Sequence, residues 1–196
     1  MSPTTQTAPY PPPIKRWWRK GLELGRELFA PLVVVLFVVA FVTQAFKVEG
    51  NSMLPTLHDS ERYFVDKISY RFQPIRRGDI VALRYPLDPS KTFVKRVVGL
   101  PGERVEMRRG EVLVEGRRLA EAYIGAAQRG RESHPLQRVP AAHYYVLGDN
   151  RTHSSDSRRW GFVPERYLVG KFLFRYWPLR QGPAPVERAT GPQGGR

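Results

Sequence analysis

The sequence predicts a mainly β domain carried behind a single N-terminal transmembrane helix, and three observations predict it. Residues Leu28–Phe46, LFAPLVVVLFVVAFVTQAF, form a run of nineteen residues without a charge. Between residues 79 and 177, short segments rich in β-branched and aromatic residues recur, separated by Gly- and Pro-containing turns. The chain of 196 residues holds 18 Pro and 17 Gly, well above an average near 12%. Much of the Pro lies at the two ends, and turn-rich strand architecture accounts for the rest better than long helices do.

Residues 1–13, MSPTTQTAPYPPP, have almost no apolar content and read as disordered. Residues 15–27 are basic and carry Trp17 and Trp18, rings suited to a headgroup region. Residues 1–27 are therefore expected to be a cytoplasmic tail. At 1.5 Å per residue the span 28–46 nearly matches a hydrocarbon core of about 30 Å. Lys15, Arg16, Arg19, Lys20 and Arg26 precede it, and only Lys47 follows closely. That bias leaves the N-terminus inside and residues 47–196 outside. A cleavable leader is the competing reading, because Thr43-Gln44-Ala45 loosely fits a small-x-small junction. Leader cores usually run about 7–15 residues, so an uncleaved anchor is favoured.

Residues 47–180 then read as one β domain. Asp79–Tyr85 and Thr92–Val98 are strand candidates. Glu103–Met107 and Glu111–Glu115 alternate apolar with charged residues around Arg108-Arg109-Gly110, the pattern of a hairpin. Ala142–Leu147 and Lys171–Trp177 are two further strands, residues 120–140 a polar loop or small extension, and residues 181–196 a disordered tail. Cysteine is absent, which excludes disulfides and thiolate chemistry. The net charge of +14 suits an anionic membrane surface or nucleic acid. A membrane anchor favours the lipid bilayer as partner over any specific nucleic acid.

Three blocks carry candidate chemistry. Ser52 follows the apolar run in VEGNSMLPTL, where Gly50 permits close backbone approach and Pro55 stops a helix. Met53 and Leu54 beside it look exposed enough to meet the bilayer. Lys95 lies in FVKRVVGLPGERV, with Phe93 and Val97 on its own strand face. A serine can be activated by a neutral lysine amine in place of a histidine. Burial would lower the lysine pKa as that role requires. Arg96 also has apolar neighbours on its face, so alternation alone does not choose between the two. Chemistry does, because a guanidinium keeps its proton. The third block, Gly148–Pro164, gathers hydroxyls, Asp and Arg in a loop. Its acidic cluster lacks the ligand count for calcium, and no metal or cofactor is expected. His153 lies near Asp149 and Asp156, but no G-x-S-x-G elbow accompanies it.

Taken in order, these residues resemble the bacterial type I signal peptidases. The matching segments are Ser52-Met53 with Pro55-Thr56-Leu57, Arg77-Gly78-Asp79, Lys95-Arg96 with Gly99-Leu100-Pro101-Gly102-Glu103, and Gly148-Asp149-Asn150-Arg151 with Ser154, Asp156-Ser157-Arg158 and Gly161. The resemblance covers roughly residues 28 to 178. It implies a signal-peptidase-like all-β catalytic domain, with Ser52 as nucleophile and Lys95 as general base. It implies that Ser154 orients the lysine amine, that Asp156 and Arg158 form a supporting ion pair, and that Asp149 belongs to the same network. Many family members carry a serine two residues before the nucleophile, whose hydroxyl joins the oxyanion hole. Here that position is Gly50, so the hole is expected to rest on backbone N–H groups at Ser52 and Gly50.

The resemblance further implies a serine endopeptidase of the plasma membrane that removes signal peptides from exported preproteins. Two other readings compete. A self-cleaving Ser-Lys repressor would carry a DNA-binding motif where this chain has its apolar run. A membrane-anchored basic binding protein would have no use for one desolvated lysine beside a serine.

Overall fold

The computed structural model describes residues 25–37, 43–68 and 72–178. The chain divides into two compact units, residues 1–41 and 42–196. In the first, residues 25–37 form helix α1, with Leu28, Phe29, Leu32 and Phe37 all more than half exposed. Among the described residues, no helix is long and apolar enough to cross a membrane. The expected span over 28–46 is corrected at its end. Thr43–Lys47 is strand β1, paired antiparallel with β2 (Arg62–Asp66). The physical reason lies in the polar residues Thr43, Gln44 and Lys47, which end the apolar stretch and satisfy their backbone in a sheet. The tails at 1–24 and 179–196, and residues 38–42 of the expected span, lie outside the described residues.

The second unit is mainly β, as expected. It adds β3 (Ile80–Tyr85), β4 (Asp88–Gly99), β5 (Arg104–Arg108), β6 (Glu111–Val114), β7 (Arg117–Arg118), β8 (His134–Arg138), β9 (His143–Leu147), β10 (Val163–Pro164) and β11 (Leu168–Trp177). Short helices α2 (Ala126–Arg129) and α3 (Ser157–Trp160) lie in its connections. Among the described residues, one sheet has seven strands in the order β1-β2-β11-β3-β4-β9-β10; the other has four, β7-β6-β5-β8.

Every anticipated strand is present, and β4 and β11 run longer than expected. The β5–β6 hairpin pairs Val105 with Val114 and Met107 with Val112. Their side chains face inward beside Val98, Tyr123, Val139 and Leu147. The expected loop at 120–140 instead supplies α2 and the edge strand β8 against β5. Strand β8 reads HPLQR and is exposed along most of its length, so it has no apolar alternation to reveal it.

Two further clusters fill the large sheet. Val65, Ile80, Ala82 and Phe172 pack with Met53 and Leu57. Val81, Leu83, Val97 and Val146 pack on the opposite face. Met53 is thus a core residue at 1% exposure, not the membrane-facing side chain expected. Its burial ties the turn that carries Ser52 to the sheet beneath it.

Candidate active site

Lys95 stands in β4 opposite Val81 of β3, on the face it shares with Phe93 and Val97. Its residue exposure is 4%. Its Nζ donates to Ser52 Oγ at 2.8 Å. In the neutral amine the same contact can reverse, the hydroxyl donating to the nitrogen lone pair. Burial pulls the Lys95 pKa down from 10.5 to about 8; the Asp156 and Asp149 carboxylates oppose that fall, and the Arg158 guanidinium adds to it. A neutral amine near pH 8, within hydrogen-bond reach of a hydroxyl, has the geometry and basicity of a general base.

Two buried ion pairs hold the surroundings. Asp149, 1% exposed, accepts from Arg96 Nε at 2.8 Å and Nη2 at 2.6 Å, and from Thr56 Oγ1 at 2.6 Å. Arg96 also donates to the Gly78 carbonyl, and its guanidinium lies 3.8 Å from the Tyr123 ring centroid. Asp156 caps α3 and accepts from Arg158 Nε at 2.8 Å and Nη2 at 2.9 Å, and from the Gly148 N–H at 3.0 Å. Burial alone would raise the Asp156 carboxyl, but these partners outweigh it and hold the pKa below the ordinary range. Each carboxylate near Lys95 therefore has its own guanidinium. That pairing limits how far the two acids can favour an ammonium at Lys95.

Asn150 ties this loop to the turn that carries Ser52. Its N–H donates to the Ser52 carbonyl at 3.0 Å, and its Nδ2 to the Asn51 carbonyl at 3.0 Å. Gly148 lies so close that a Cβ there would sit 2.5 Å from the Ser52 carbonyl oxygen and 2.2 Å from Ser154 Oγ.

Ser52, Lys95, Ser154, Asp149, Asp156 and Arg158 thus gather as the sequence predicts, with two corrections. Ser154 Oγ does not bond Lys95. Among the described residues it is buried without a hydrogen-bond partner, against Gly148, and near enough to Asp156 to help keep that acid ionised. The lysine amine is engaged by Ser52 instead. Gly50 does not offer its N–H, which donates to Asp59 Oδ1 at 2.7 Å. Its φ of +86° turns that amide toward the Asp59 carboxylate.

Sequence reasoning missed Arg96, Thr56 and Asn150 as parts of the site. The signal for Arg96 was present: a guanidinium between Val94 and Val98 on an inward face needs a buried carboxylate. Asn150 left none beyond its place in the matched Gly148-Asp149-Asn150-Arg151 segment, because the carbonyls it holds are 98 and 99 residues away in sequence.

The pair opens onto a cleft of about 340 Å³ between Phe46–Glu49 on one wall and Thr92–Lys95 of β4 on the other. Strand β1 is an edge of its sheet, and β4 pairs with β9 only from Arg96 onward. Both walls therefore carry strand backbone without a neighbour on the cleft side, among the described residues. No three His, Asp or Glu side chains gather as metal ligands among those residues.

A hydroxyl beside a desolvated amine, lining an open cleft in a mainly β unit, is an arrangement that suits a hydrolase. The chain belongs to the signal peptidase family, peptidase S26, whose profile matches residues 21–177. It is 39% identical to the signal peptidase I of Leptolyngbya laminosa, over 94% of this chain and 96% of that protein. Identity to the signal peptidase I of Bacillus caldolyticus is 39%, over 78% and 90% of the two chains. A solved signal peptidase I from Enterococcus faecalis aligns with 52% of this chain and 98% of its own, at 32% identity and a TM-score of 0.47. The chain is a signal peptidase enzyme.

Proposed function

We propose that this enzyme is a membrane-bound serine endopeptidase that cuts signal peptides from exported preproteins with a Ser52–Lys95 dyad. The observation that carries the reading is the 2.8 Å contact between Ser52 Oγ and the buried Lys95 amine. The preprotein lies extended along the cleft, adding its backbone to the free edges of β1 and β4. Lys95 takes the Ser52 proton as Oγ attacks the scissile carbonyl. The oxyanion is met by the Ser52 N–H, since the Gly50 N–H is engaged by Asp59. The protonated Lys95 passes its proton to the leaving amine, and the acyl-enzyme retains the signal peptide. Lys95, neutral again, then activates water to release it.

The family resemblance implies small residues at the first and third positions before the cut, held in shallow pockets that exclude large side chains. The exposed side chains of α1 and the apolar sequence through Val42 suit a lipid surrounding. The basic residues of 15–26 keep that end in the cytoplasm and the β unit on the outer face of the plasma membrane. Leu173, Phe174 and Trp177 on β11 add exposed apolar surface of the kind a bilayer interface accepts. Detergent-solubilised full chain, incubated with a preprotein and analysed by mass spectrometry, should yield one cut after a small-x-small junction. An intact preprotein, or cuts elsewhere in the sequence, would refute the reading.

A further inference from the structure

We propose that the buried Glu121–Arg151 pair is a positioning device for the nucleophile's turn, acting on Ser52 through Gly148 and Asn150. The proposal rests on the Ser52–Lys95 reading of the site. Glu121 comes from the connection between β7 and α2, far from the cleft walls in sequence. Its carboxylate accepts from both Arg151 Nη atoms and from the Tyr123 hydroxyl at 2.9 Å, with Arg129 Nη1 at 3.6 Å. Neither side chain of the pair is more than 1% exposed.

Arg151 spends its remaining groups on the loop that holds the nucleophile. Its Nε donates to the Gly148 carbonyl at 3.0 Å, and its own carbonyl accepts from Arg158 Nη2 at 2.8 Å. Between those anchors lies Asn150, whose N–H and Nδ2 donate to the Ser52 and Asn51 carbonyls. A fully buried ion pair adds little stability over apolar residues of like volume, because desolvation offsets the attraction. What it adds here is direction. An apolar pair could fill the space, but it could not hold the Gly148 carbonyl at a fixed angle. The 2.8 Å Ser52–Lys95 contact depends on that angle through Asn150.

Two variants of the full chain separate positioning from mere stability. Glu121→Gln keeps the shape and removes the charge. Glu121→Leu/Arg151→Met replaces the pair with apolar volume. For both, kcat and KM are measured on a preprotein substrate, with thermal stability and exchange of the Asn150 amide hydrogen followed by NMR. Glu121→Gln should lower kcat on the order of tenfold to a hundredfold with KM nearly unchanged, because the cleft walls are built by β1 and β4. The double variant should regain thermal stability while kcat stays low and Asn150 exchange stays fast. Recovery of kcat and Asn150 protection together with stability would overturn the proposal. So would a rise in KM at constant kcat. If the double variant does not fold, Asn150 exchange and the kcat–KM split in Glu121→Gln decide. If the wild-type chain cuts no preprotein, the peptidase reading fails, and Asn150 exchange still decides whether the pair holds the loop.

Discussion

Replacing Lys95 with Met removes the buried amine, and the consequence follows from its titration. The difference between about 8 in the folded protein and the ordinary 10.5 corresponds to roughly 3 kcal/mol, at about 1.4 kcal/mol per unit. Burial supplies the shift, because it disfavours the ammonium form. Below about pH 8 the folded and unfolded chains both carry the proton, and the folded chain bears the full cost of a buried cation. As pH rises from about 8 toward 10.5, the folded chain has lost the proton while the unfolded chain keeps it. Wild-type stability therefore climbs by roughly 3 kcal/mol across that window and then levels. Lys95→Met lacks this slope and should be the more stable protein near pH 7, by up to about 3 kcal/mol. Cleavage must run the other way. Lys95→Met and Lys95→Arg should both be inactive, and the wild-type rate should rise about tenfold per pH unit up to about pH 8 and then level. Chemical denaturation of wild type and Lys95→Met at several pH values, with rates on the same samples, checks both arms. A stability difference that does not change with pH, or a wild-type rate flat through the neutral range, would refute the reasoning.

Three further outcomes follow from single contacts. Gly148→Ala should abolish most activity in a folded protein, because its methyl would meet the Ser52 carbonyl oxygen at 2.5 Å and Ser154 Oγ at 2.2 Å; near-normal rates would show that the loop yields freely. Arg96→Met should cost about 3–5 kcal/mol in a denaturation experiment by leaving the Asp149 carboxylate buried and unpaired, and Arg96→Met/Asp149→Leu should regain much of it; a single variant as stable as wild type would contradict this. Gly50→Ser should lower stability by roughly 1–2 kcal/mol without raising the cleavage rate. A Cβ there meets nothing within 4 Å, but φ is +86°; a faster enzyme would show that a side-chain donor was missing from the oxyanion hole.

The sequence revealed what periodicity and chemistry can carry. Alternating Val, Met and charge marked β5 and β6, and β-branched runs marked β3, β4, β9 and β11. The Ser52–Lys95 contact was legible because a serine beside a desolvated amine is chemically distinctive, and the motif context of the two is specific. What was illegible has several causes, and each is local to the element concerned. Strand β1 was hidden inside an apolar run, since Ala45 and Phe46 read equally well in lipid or in a sheet. Strand β8 was hidden by exposure on both faces. The commitment of the Gly50 N–H to Asp59 depends on a left-handed φ that no residue pattern announces. The resemblance implied that Ser154 orients the Lys95 amine, and packing against Gly148 places its hydroxyl elsewhere.

The central claim is that Ser52 is the nucleophile and becomes acylated by the signal peptide. The most direct test is to quench the reaction in acid during turnover and map the enzyme by mass spectrometry. The account predicts a transient adduct of the signal-peptide fragment on the enzyme peptide that contains Ser52. Ser52→Ala should fold normally, form no adduct and cut nothing. An adduct on another residue, or cleavage that persists in Ser52→Ala, would contradict it.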